Sequence, residues 1–148
     1  MTDASGPQWP ALCAGEVLVR TAQQILWRQV HPRFVDDDVV GVGAFVGVNH
    51  DHDRVSTALD GLQTARGAYS FHVEVLGLDS AGTWPVTTAT VDRGGARTVY
   101  DAESECAPDP CPPGHANIDM RALAKAQRRV LRFSLATEAT DRGCAHRP

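Results

Sequence analysis

Apolar residues recur along this chain at two spacings, and the segments they define alternate between helix-like and strand-like. Leu18, Ala22, Ile25 and Leu26 fall at helical intervals and predict a helix over about Glu16–Gln24. Ile25–His31 then reads as a short strand, because Trp27 and Val30 favour sheet and Pro32 ends it. On a strand, His31 faces with Trp27 and Gln29, while Arg28 faces with Leu26 and Val30; on a helix, Arg28 and His31 would share a face. Val39–Val48 is almost wholly apolar and predicts a buried strand, whose three glycines suggest a bulge or a close backbone approach. Those glycines are not a dinucleotide fingerprint, since Val46 stands where the third glycine would be.

Val55–Leu59 predicts another short strand. Thr64 is placed to cap a helix reaching about Leu76, in competition with a strand in which Tyr69, Phe71, Val73 and Val75 alternate. Trp84–Val91 reads as a strand that Pro85 confines to a sheet edge or a strand start. A turn at Asp92–Gly95 would let Arg97–Tyr100 pair back as a hairpin. Glu103–Gly114 holds four prolines and is loop, and His115–Ile118 is a short strand. Asp119 is a candidate N-cap for the clearest helix, about Met120–Ala136, with Leu123, Ala126, Val130, Leu131 and Leu135 as its buried stripe. The sum is one α+β domain over residues 13–139, a small mainly antiparallel sheet packed against one or two helices. Residues 1–12 read as a flexible leader and residues 140–148 as a tail.

Composition changes this picture little. With 43% hydrophobic and 22% charged residues, a 148-residue chain can bury one core. A net charge of −4 disfavours coating nucleic acid or an anionic membrane, and no apolar run approaches the roughly 18 residues of a membrane span. The acidic, proline-containing start lacks the pattern of a secretory signal, which predicts a cytoplasmic protein. In that setting Cys13, Cys106, Cys111 and Cys144 are expected to be thiols.

Four groupings carry potential chemistry. Asn49–Arg54 contains an H-x-H pair, His50 and His52, whose imidazoles could begin a zinc or iron site; the competing reading is a solvated turn. Cys106, Cys111 and His115 could hold zinc with a fourth ligand, although their spacing is not a strong zinc signature. Arg121, Lys125, Arg128 and Arg132 form a basic stripe that either attracts phosphate or is the solvated back of a helix. Arg28 and His31 pair a permanent cation with a group that titrates near neutrality, or else make an ion pair and a turn cap. No catalytic triad can be picked out from the sequence.

Leu26–Pro32, Ala44-Phe45, Asp51 followed by Ser56, and Pro113–Asp119 occur in this order, and the set resembles a group of small bacterial proteins. Those proteins share a Leu-(Trp/Tyr)-Arg-Gln-Val-His-Pro start and a late Pro-x-His-Ala-x-Ile-Asp. The resemblance implies a shared α+β fold and a common polar site, without implying an activity. Gly43 departs from the polar residue usual before Ala-Phe, and His50 and His52 are also departures. A fainter similarity is to ADP-ribosyl-transferring toxins, whose first strand presents an Arg or His; Gly43 stands where their hydroxyl residue would be.

These readings converge on a small enzyme doing acid–base chemistry on a compact polar or anionic small molecule. His31 and His115 are the expected base and acid, and Asp51 orients an imidazole. Arg28, Trp27 and Ser56 bind the substrate, and His50 and His52 are the candidate metal ligands. The rivals are a non-enzymatic zinc-stabilised or peptide-binding module and a nucleotide- or RNA-directed toxin.

Overall fold

The computed structural model describes residues 8–47 and 53–148. In chain order its elements are β1 (Val17–Leu18), β2 (Ile25–Gln29), β3 (Val35–Asp36), β4 (Val39–Val40), β5 (Arg54–Leu59) and α1 (Ala65–Ser70). There follow β6 (Thr83–Thr87), α2 (Thr88–Arg93), β7 (Arg97–Tyr100), β8 (His115–Asp119) and α3 (Lys125–Arg142). Six strands form one antiparallel sheet in the order β1-β7-β8-β5-β2-β6, and β3 and β4 make a separate hairpin. The fold is α+β.

Strand alternation divides the sheet into two chemically different faces. Leu26, Val30, Val55, Ala116, Ile118, Trp84 and Val86 are buried, and they join Leu131, Leu135 and Ala139 of α3 in one core. The opposite face carries Trp27, Gln29, Ser56, His115 and Asn117, as the strand registers require. Over β2 and β6 this second face is covered by α1, whose Ala65 carbonyl accepts from the Thr83 hydroxyl. Over β5 and β8 a cavity remains among the described residues.

Several expectations are corrected. The Glu16–Gln24 segment forms no helix; Gln23 has a positive φ of 58°, and Val17 and Leu18 pair with β7. Val39–Val48 is not a continuous strand within its described residues, because the chain leaves β4 for a 3-10 turn at Val42–Phe45. There a Cβ on residue 43 would lie 2.5 Å from the Phe34 ring, so Gly43 lets the turn pack against it. The strand predicted to reach Val91 ends at Thr87 and becomes α2, while its edge position holds. β7 pairs with β8 and β1 instead of folding back on β6. Thr64 does cap α1, accepting from the Gly67 N–H at 2.9 Å, but after Ser70 the helix widens into a π turn over Phe71–Val75.

The largest shift is at the last helix, which starts at Lys125 and not at Met120. Asp119 belongs to β8, fully buried, where it binds Arg97 at 2.9 Å and Arg121 at 2.9 Å. The buried stripe is consequently Leu131, Leu135, Ala136 and Ala139, whereas Ala126 is exposed and Val130 is 65% exposed. Of the basic stripe, Arg128 and Arg132 bind Asp53, so three of its four members are engaged in ion pairs with acidic residues. Described residues toward either end of the chain also contact the domain. Arg97 lies 4.6 Å from the Trp9 ring centroid and donates to the Pro10 carbonyl, while Ala145 N–H donates to the Thr83 carbonyl.

Burial pushes the Asp119 carboxyl up, but hydrogen bonds from Arg121 and Arg97, with the Arg121 charge, outweigh it and hold the group below its ordinary value. A depressed carboxyl stabilises the fold above the unfolded value and loses that contribution as pH falls through the folded one. We therefore expect Asp119→Asn to cost about 3–5 kcal/mol at neutral pH, as for a broken buried pair. In denaturant titrations the gap from wild type should close below about pH 4. A gap unchanged down to acid pH would contradict this assignment.

Candidate functional site

Where the second face of the sheet is open, a cavity of about 810 Å³ lies above β2, β5 and β8. Trp27, Arg28, His31, Ser56 and His115 all line it. Asp51, His50 and His52 fall outside the described residues.

The site is built around Ser56, exposed in the middle of β5. β8 lies on one side of it, in the register that sets Ser56 opposite Asn117 and Ala58 opposite His115. The His115 Nε2 is 3.2 Å from the Ser56 Oγ, and its Nδ1 is 2.5 Å from the Asp101 Oδ1. Asp101 follows β7 directly and is buried, and its second oxygen accepts from the Asn117 amide at 2.9 Å. A carboxylate can only accept, so His115 Nδ1–H donates a hydrogen bond to Asp101, and in the neutral imidazole the Nε2 lone pair faces the Ser56 hydroxyl. Hydroxyl, imidazole and carboxylate thus form one directed chain opening into the cavity.

Backbone geometry fixes the imidazole. The Gly114 carbonyl accepts from Leu59 N–H at 2.9 Å, and Gly114 has φ +73°, where a Cβ would sit 3.1 Å from the Leu62 Cβ. His115 N–H in turn donates to the Pro112 carbonyl at 3.1 Å. The proline-rich loop therefore begins with Asp101 and ends by seating His115.

On the other side of Ser56 the sheet parts. β2 and β5 are paired only at Leu26–Leu59 and Trp27–Ala58, and the Arg28 guanidinium fills the wedge beyond. Its Nε donates to the Ala44 carbonyl at 2.8 Å, and its Nη1 donates to the Ser56 carbonyl at 2.9 Å. Burial lowers its pKa to about 10, so it remains a cation at neutral pH.

His31 and His72 form the far wall. The His31 Nδ1 accepts from the Arg33 N–H at 3.1 Å and its Nε2 faces Asp79 at 3.8 Å, so one ring nitrogen is occupied in capping the turn at Pro32. His72 has its pKa lowered, first by burial and then by the charges of Arg28 and His31. A hydrogen bond with the Asp79 backbone and the Asp79 charge oppose that shift.

The expectation of four thiols and of a Cys106/Cys111/His115 zinc set is corrected together. Cys106 is joined to Cys13 in a disulfide, because Glu105 N–H donates to the Ala14 carbonyl and brings the two segments alongside. Burial, then the Asp101 charge, push the Cys111 thiol up, away from the thiolate a metal needs. Among the described residues no group of three His, Cys, Asp or Glu side chains is arranged to hold a metal ion.

Asp101, Asn117 and His72 were missed by the sequence reading. Asn117 was findable: His115, Asn117 and Asp119 alternate with Ala116 and Ile118, which puts the three polar residues on one face. No family model, curated protein or solved structure matches the chain.

Proposed function

We propose that this chain is a small serine-nucleophile hydrolase or acyl transferase acting on a compact polar substrate. The observation that carries the reading is the continuous Ser56–His115–Asp101 chain at the base of an open cavity. In the proposed cycle the Ser56 Oγ attacks a carbonyl carbon while the His115 Nε2 takes the hydroxyl proton. Asp101 keeps the imidazole oriented and stabilises the imidazolium. Collapse of the tetrahedral adduct breaks the bond to the leaving group, which receives the proton from His115 when it needs one. Water then attacks the acyl-serine, with His115 again as base, releasing the acid and restoring the hydroxyl. Compared with the sequence expectation, His115 takes both proton-transfer roles, His31 caps a turn, and Asp101 does the orienting assigned to Asp51.

The expected cytoplasmic location sits poorly with the Cys13–Cys106 bridge, and an oxidising compartment accommodates that bridge better. No helix among the described residues is long and apolar enough to cross a membrane.

The test is stopped-flow hydrolysis of 4-nitrophenyl acetate. The wild type should release a burst of nitrophenolate close to one per chain, followed by slower turnover, and Ser56→Ala and His115→Ala should both abolish it. A wild type without a burst, or a burst surviving in Ser56→Ala, counts against a serine nucleophile.

A further inference from the structure

Resting on the reading above, we infer that the substrate carries its own anionic group, a carboxylate or phosphate, which Arg28 seats beside Ser56. The first support is the state of Arg28. Its guanidinium is half-buried in the wedge between β2 and β5, and its two hydrogen bonds go to neutral carbonyls, Ala44 and Ser56. Among the described residues no carboxylate pairs with it. A guanidinium has five N–H donors in a planar fork, so three remain beyond those two bonds. A partly buried cation whose described partners are all neutral attracts an anion, and the adjoining cavity is where one can reach it.

The second support is position. Ser56 lies between His115 on β8 and Arg28 on β2, and the Arg28 Nη1 already touches the Ser56 backbone. An anion held there falls within about one residue's width of the nucleophile, close enough to orient the group being attacked. At about 810 Å³ the cavity suits a metabolite-sized molecule.

Binding can be measured without turnover. Isothermal titration of Ser56→Ala with glutarate and, separately, with inorganic phosphate should show saturable binding of at least one. The affinity should weaken tenfold or more in Ser56→Ala/Arg28→Gln, and the better anion identifies carboxylate or phosphate as the recognised group. Arg28→Gln also removes a bond to each neighbouring strand and could unfold the chain. In that case Arg28→Lys decides by the same criterion, since an ammonium cannot serve both carbonyls and an anion. Equal affinity with and without Arg28, or no binding of either anion to Ser56→Ala, overturns the inference. A missing acetate burst with anion binding intact would remove the nucleophile and leave the anion site standing.

Discussion

Exchanging Asp101 for Asn is expected to lower kcat on an activated ester roughly 10⁴-fold, with only a small change in melting temperature. The reason lies in Asn117. Its amide nitrogen donates to the Asp101 Oδ2 at 2.9 Å, so an asparagine at 101 would turn its oxygen toward that donor. The new NH₂ would then face the His115 Nδ1 in place of an acceptor. That nitrogen would have to accept, the ring proton would move to Nε2, and the Ser56 hydroxyl would lose its base. Steady-state kinetics beside a thermal melt separate this from unfolding. A folded variant within tenfold of wild-type kcat would show that Asp101 does not set the tautomer.

The second large effect is on stability. Replacing both Cys13 and Cys106 by Ser opens a covalent loop whose ends are 93 residues apart. Chain entropy puts the maximum near 4.7 kcal/mol and typical losses at about 2–4 kcal/mol. For a domain of this size that is a fall in melting temperature of roughly 5–15 °C. Turnover should fall as well, because Cys106 anchors the loop that starts at Asp101 and ends at His115. The check is a melt with and without reductant: reductant should bring the wild type down to the double variant and leave the variant unmoved. No difference between the two proteins would contradict the tether.

Local signals revealed part of this architecture. β2, β5 and β8 were legible because each is short and bounded by proline, glycine or polar turns, and because Trp27 and Val30 favour sheet at the first of them. The motif residues Leu26–Pro32 and Pro113–Asp119 fall on β2 and β8, the strands reaching into the site on either side of Ser56. Arg28, Ser56 and His115 were therefore legible one by one as polar residues, and all three line the cavity. Their connection was not, because Asp101 reaches His115 only through the pairing of β7 with β8, which no local pattern encodes. Asp119 misled for a related reason. It has the side chain of a good helix cap, yet two arginines distant or adjacent in sequence hold it buried in a strand. The glycines of Gly41–Gly47 were noticed as a break in regular sheet. Their consequence, a 3-10 turn that offers the Ala44 carbonyl to Arg28 and the Phe45 carbonyl to Arg132, depends on partners far along the chain.

The most direct test of the central claim is covalent labelling of the full chain with a fluorophosphonate, read by intact mass and peptide mapping. An activated serine attacks phosphorus and expels fluoride, leaving a stable phosphonyl ester. One adduct per chain on the peptide containing Ser56, lost in Ser56→Ala and strongly slowed in His115→Ala, is the predicted result. No adduct on the folded wild type, or an adduct at another residue with Ser56 unmodified, would contradict a nucleophilic Ser56–His115–Asp101 site.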